Sequence, residues 1–243
     1  MALPFAGGAA FYRPKVWEGL KMQLQHNLIR IRSESMLSVL ASAIVGGGLG
    51  KADHFINVHV SKDYDCSYPE RDMENIIQSH GYPAAGTIGL MTAAYLQNAS
   101  VQEACGERFG LVVCTTAGVG NAARAGMPRP VYAAYKTGTI NIMIFVQGAM
   151  TDSALVEAAV AATEAKAAAL HDLQVMDANT GLIATGTTSD AIVIGSSPQY
   201  FADAVHLHAG TATALGNAIG RAVYDSVKES VEAIRAMQRG TKS

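Results

Sequence analysis

The chain has 243 residues, 49% hydrophobic and 16% charged, and 18 basic against 20 acidic residues leave a formal net charge of -2. That composition excludes a disordered chain and supplies a large core. A balance so close to neutral, with no basic run, excludes a phosphate-tracking nucleic-acid surface.

Residues 20 to 32, LKMQLQHNLIRIR, alternate apolar and polar on both sides of His26-Asn27, the period of a hairpin with half-buried strands. From Ser35 to Val45 the pattern turns helical, with Ser33 or Ser35 as cap and Gly46-Gly47-Gly48 as stop. FINVHV at 55 to 60 alternates as a strand. Glu70 to His80 reads as a short helix between Pro69 and Gly81. TIGLMTAAY at 87 to 95 fits strand or helix. RFGLVVCTTAGVGN at 108 to 121 is a buried strand running into a glycine turn, and GTINIMIFVQG from Gly138 is the clearest strand of all. Thr151 or Asp152 caps a long helix to about Leu173. A strand follows within LIATGTTSDAIVIG at 182 to 195, and a last helix runs from near Thr211 to near Gly240. There Ala212, Gly216 and Gly220 share one face, which calls for close packing. The order of elements predicts an α+β fold, a mixed sheet covered by helices, as a single domain over residues 1–243.

Three cysteines, Cys66, Cys105 and Cys114, without a CxxC pair fit reduced thiols in a cytoplasmic protein. No basic residue precedes Arg13, unlike a signal peptide, and the apolar runs break before they could span a bilayer. Nucleic acid and membrane are therefore not expected partners.

Several motifs fail on inspection. GGGLGK at 46 to 51 has Val45 and Ala52 where a phosphate loop needs glycine and a hydroxyl. Gly118-Val119-Gly120 with Ala123 resembles a dinucleotide fingerprint, but Pro128 and Pro130 leave no room for its helix. Cys114 has no histidine partner. His206 and His208 would share a strand face but lack a third ligand, so no metal site is assigned.

Three polar signatures stand out in an alanine-rich background: GTIN at 138 to 141, TEAKAAAL at 163 to 170 and ATGTTSD at 184 to 190. With TTAGVGNAARAG at 115 to 126, TDSALVEAAVAATEAKAAAL at 151 to 170, ATGTTSDAIVIG at 184 to 195 and HAGTATALGNAIGRAVYDSV at 208 to 227, their order resembles the adenosylcobinamide amidohydrolase family, often called CbiZ. The sequence departs from the pattern at Ser189, where a threonine is expected, and at Met127, where an acidic residue is. The resemblance implies hydrolysis of the aminopropanol amide of adenosylcobinamide to adenosylcobyric acid in corrinoid salvage. It implies a small-molecule corrinoid partner and no permanently bound cofactor, the substrate carrying its own cobalt in the corrin ring. A homo-oligomer is allowed.

Amide hydrolysis needs a base, a nucleophile, a stabilised oxyanion and a proton for the leaving amine. Asp190 is the candidate water-activating base, or else a turn former. Gly118 and Gly120 could offer backbone N–H groups to an oxyanion. Asn121 and Asn141 suit a substrate edged with amides. Thr139, Thr185, Thr187 and Thr188 are assigned to substrate binding, with a nucleophilic role only for a threonine that has a base beside it. Glu164 and Lys166 lie about 200° apart on a helix, so at most one faces a pocket. Two other readings remain open: a corrinoid carrier without turnover, and a metal-dependent amidase using His206, His208 and a carboxylate.

Overall fold

A computed structural model describes residues 3–128, 138–198 and 204–240. In chain order its strands are β1 (Phe11–Tyr12), β2 (Leu20–Gln25), β3 (Leu28–Ala41), β4 (Gly48–His59), β5 (Thr87–Thr92), β6 (Ser100–Gly106), β7 (Phe109–Ala117), β8 (Ala122–Ala123), β9 (Ile140–Gln147), β10 (Ala149–Met150), β11 (Gly186–Thr187), β12 (Ala191–Ser197) and β13 (Val205–His206). The helices are α1 (Pro69–Ser79), α2 (Asp152–Asp172) and α3 (Ala214–Gly240), with a 3-10 turn at Leu96–Asn98. The fold is α+β: a mixed sheet with β1-β2-β3-β12-β9-β7-β6 along one path, and β4 and β5 branching from β3. β12 with β9 and β4 with β5 are parallel; the other pairings in this sheet are antiparallel.

The long strand β3 makes this branching possible. Its first half pairs with β2 and its second half with β12, while β4 follows its other edge. The helix expected from Ser35 is therefore strand as far as Ala41. The cause is burial on both faces: Leu37 and Val39 enter one apolar cluster, while Leu40 packs on the opposite one. Apolar residues at both parities hide the period of two. The irregularity between Arg32 and Leu37 in the pairing with β4 adds to the disguise. The glycines after Val45 then open β4 rather than stop a helix.

The other expected elements hold. The hairpin of β2 and β3 turns at His26-Asn27, and Thr87–Thr92 is strand. Thr151 caps α2 by accepting the Ala154 N–H at 3.1 Å. In α3, Gly216 is the residue that needs to be small, because a Cβ there would meet the carbonyl oxygens of Ala209 and Gly210. Gly220 has open space, and Ala212 precedes the helix.

The sheet curls. Its inner face buries Phe55, Val112, Met143, Phe145 and Val193 around the N-terminal residues Phe5 and Trp17. Phe55 on β4 meets Phe145 on β9 edge-on at 4.9 Å between centroids, a contact worth on the order of 1 kcal/mol. Its outer face carries Ile140, Ile142, Ile144 and Ile194 against α2 and α3. Alternation along β9 and β12 thus sends odd-numbered residues inward and even-numbered residues towards the helices. No helix among the described residues is long and apolar enough to cross a membrane.

Glu157 ties α2 to the segment before α3. Its Oε2 accepts the Ala209 N–H at 2.7 Å and the Gly210 N–H at 3.2 Å, and its Oε1 meets His208 Nδ1 at 3.0 Å. The His208 bond, then the Ala209 N–H, hold this carboxyl below the ordinary glutamate value. A carboxyl depressed in the folded state stabilises above its unfolded pKa, and that stability is lost as pH falls through the folded value. Glu157→Gln should therefore melt below wild type at neutral pH, and the two melting temperatures should converge on acidification. Parallel thermal melts across pH 3 to 7 check this; a constant gap would contradict it.

Candidate active site

The N-terminal ends of β9 and β12 and the C-terminal end of β7 lie side by side, since Asn141 pairs with both Ala191 and Thr116. Loops 118–121 and 184–190 close over this end, joined by the small β8–β11 pairing that sets Thr187 opposite Ala122. Asp190, one residue before β12, has the even parity that aims it at the helices.

There it meets Lys166. The buried face of α2 carries Leu155, Ala158, Ala162, Lys166 and Ala169, spaced three and four apart, so the lysine stands within an apolar stripe. The alanines allow a close approach of helix and sheet, and Lys166 Nζ lies 2.5 Å from Asp190 Oδ2. The two side chains are 8% and 11% exposed, so this pair is shielded from water in a way that a surface pair is not. Glu164, about 200° round the helix, is exposed and does not join them.

Asp190 has a full set of partners. Oδ2 takes Lys166 Nζ and the Thr187 N–H at 3.0 Å; Oδ1 takes the Ile140 N–H at 3.1 Å and the Thr187 hydroxyl at 2.5 Å. A carboxylate offers about four acceptor positions, and all are filled here. Gly186 completes the enclosure: a Cβ there would lie 2.9 Å from Lys166 Nζ and would overlap Asp190 Oδ2.

The remaining expected residues surround this pair. Thr188 Oγ1 accepts from Asn121 Nδ2 at 2.7 Å, Thr139 Oγ1 donates to the Ser189 carbonyl at 2.5 Å, and Thr185 Oγ1 accepts the Ala125 N–H at 2.9 Å. Ser189, in place of the expected threonine, bonds the Gly138 carbonyl at 3.1 Å. Asn121 Oδ1 is buried against Gly138 without a hydrogen-bond partner among the described residues. The Gly118 N–H is already given to the Thr139 carbonyl at 2.8 Å, so it is not free for an oxyanion; Gly120 is exposed at the turn.

Asn141 faces the other way, into the curl. Its Nδ2 donates to Asn57 Oδ1 and to the Met91 carbonyl, both at 2.9 Å, and Asn57 Nδ2 donates to Thr116 Oγ1 at 2.8 Å. This buried polar ladder joins β4, β5, β7 and β9 across the curl. Asn57 and Thr116 were not singled out from the sequence, although a polar residue at an inward position of an apolar strand was the available sign. His59, also at this end, holds its Nδ1 against the Ala94 carbonyl at 3.1 Å and its ring on Tyr95.

Other candidates lie apart. Cys114 is buried and its thiol is pushed up to about 12 by burial, which keeps it protonated and inert. β13 ends at His206, so the two histidines do not share a strand face. His206 Nε2 meets the Arg108 carbonyl at 3.1 Å, whereas His208 meets Glu157. No cluster of three or more metal-ligating side chains occurs among the described residues. Met127 is 39% exposed, and Pro130 lies outside the described residues.

Comparison with known proteins adds the chemistry. The chain is 27% identical over 194 residues to the adenosylcobinamide amidohydrolase of Methanosarcina mazei, covering 77% of this chain and 87% of that protein. It is 30% identical over 191 residues to an uncharacterised protein of Methanocaldococcus jannaschii, covering 69% of this chain and 72% of the relative. Among solved structures it superposes loosely on the PH0078 protein from Pyrococcus horikoshii OT3, with a TM-score of 0.44 and 11% identity over 95% of this chain and 90% of that one. A Burkholderia sp. beta-aminopeptidase gives 0.41 and 9% over 92% and 81%. Neither structural likeness is close enough to inform the site. The adenosylcobinamide amidohydrolase family model matches residues 14–239, and the chain belongs to that family.

Proposed function

We propose that this chain hydrolyses the amide joining aminopropanol to the corrin in adenosylcobinamide, releasing aminopropanol and adenosylcobyric acid for cobalamin salvage. Family membership over residues 14–239 supports the reaction class. The observation that carries the location is the shielded Lys166–Asp190 pair, ending at the Thr187 hydroxyl under loops of threonine, serine and asparagine. A packed core has no use for a lysine in the buried stripe of a helix, because burying the pair costs several kcal/mol per ion before any attraction is recovered.

Asp190 is the proton acceptor in this reading, and Lys166 fixes its position. Asn121 Oδ1, which has no donor among the described residues, is suited to receive an N–H from the corrin's amide arms, with Thr188 bonded to the same side chain and Thr139 and Thr185 on the adjoining loop segments. Asn141 and its ladder hold the sheet end in shape. The substrate brings its own cobalt, and no resident cofactor is invoked. The setting is cytoplasmic, with a small-molecule corrinoid as partner, and a homo-oligomer is compatible with this reading.

Incubation of purified protein with adenosylcobinamide, followed by mass spectrometry, should yield cobyric acid and aminopropanol in equal amounts. Substrate that stays bound but intact would replace this reading with a carrier role.

A further inference from the structure

Resting on that reaction, we propose that Thr187 is the nucleophile, so that the amide is cleaved through an ester between the Thr187 hydroxyl and the corrin carboxyl. Asp190 has about four acceptor positions. Lys166 Nζ, the Thr187 N–H and the Ile140 N–H fill three of them; the two backbone amides are not nucleophiles, and Lys166, with its side chain 8% exposed, is kept from a substrate by its burial. The fourth is filled by the Thr187 hydroxyl at 2.5 Å. A free water has no position left from which to pass its proton to this carboxylate. If Asp190 is the base, the proton it takes comes from Thr187.

The arrangement has the general form of an activated nucleophile: a hydroxyl bonded to a base, and the base held by a third group, here Lys166 at 2.5 Å. Thr187 is half-buried and stands next to Thr188 and Ser189, both exposed, so the residue lies at the edge of the loop rather than deep in the core. The same hydroxyl could in principle serve only the local turn, since Thr187 and Asp190 are three apart. A turn alone, however, does not need the carboxylate's far oxygen to reach a buried lysine on a different element.

In the first step Thr187 Oγ1 bonds to the amide carbon as its proton passes to Asp190. The tetrahedral adduct collapses with cleavage of the C–N bond, and the proton on Asp190 goes to the departing nitrogen, which leaves as aminopropanol. Water then adds to the ester carbon and the C–Oγ1 bond breaks, giving the corrin carboxylic acid and restoring the Thr187 hydroxyl. Lys166 is a positioning residue throughout.

The test is acid quench of wild type, Thr187→Ser and Thr187→Val during turnover of adenosylcobinamide, with peptide mass mapping and with hydroxylamine as a trap. The expected results are a cobyryl adduct on the peptide containing residue 187 of wild type, and a hydroxamate product from wild type and Thr187→Ser. Thr187→Val should form neither, with turnover lower by about a thousandfold or more. Thr187→Ser keeps the hydroxyl and its bond, so its partial activity separates loss of the nucleophile from loss of the loop. Valine at 187 with turnover within tenfold of wild type overturns the assignment. Absence of any turnover by wild type removes the proposed reaction itself, a different outcome from an active enzyme that turns over without Thr187.

Discussion

Lys166→Met should lower folding stability by about 3–5 kcal/mol and abolish amide hydrolysis. Methionine replaces the aliphatic stem, so the packing of α2 against the sheet changes little. What disappears is the cation that Lys166 places on Asp190. The carboxylate is 11% exposed and keeps only the neutral donors of Ile140 and Thr187. A charge left in that position is far more costly than a lost surface pair, which is worth about 0–1 kcal/mol. Chemical denaturation at neutral pH measures the difference directly. A loss under 1 kcal/mol would mean that the pair is open to water in solution.

Asp190→Asn should reduce turnover by about 10²–10⁴-fold while leaving substrate binding largely intact. The amide keeps the shape of the carboxylate but removes the base. It is not silent structurally: its NH₂ group faces donors where Asp190 had an oxygen, and Lys166 loses its counter-charge. A stability loss of about 1–3 kcal/mol is expected alongside the kinetic effect. Activity must therefore be compared at a temperature where both proteins are folded. Equal turnover in wild type and variant would place the chemistry elsewhere on the chain.

The legible parts of the fold are those with one clear periodicity. The β2–β3 hairpin, α1, β9 and the Thr151-capped α2 follow from alternation, capping and breakers. The second half of β3 did not, because it is covered on both faces and its apolar residues fall at both parities. The start of β4 was hidden for the opposite reason: Gly48, Leu49, Gly50 and Lys51 are all exposed, so that end of the strand has no buried face to show a period.

The site was legible to the level of segments. Helical geometry already separated Glu164 from Lys166. Extending the same arithmetic over Leu155, Ala158, Ala162 and Ala169 puts the lysine, not the glutamate, on the buried stripe. That Lys166 meets Asp190 is a tertiary fact, set by β12 lying beside β9 under α2, and no local pattern reports it. The same holds for Asn57 and Thr116, which reach Asn141 only because the sheet curls. The glycine turn at 118–120 misled in the opposite direction: it has the composition of an oxyanion cradle, but the Gly118 N–H is used to tie β7 to residue 139.

The most direct measurement is adenosylcobinamide binding and aminopropanol release followed together on wild type and Asp190→Asn. Both proteins should bind the corrinoid, and only wild type should release aminopropanol at a substantial rate. Release at the wild-type rate by Asp190→Asn would remove Asp190 as the base, and corrinoid held by wild type without any release would make the chain a carrier rather than a hydrolase.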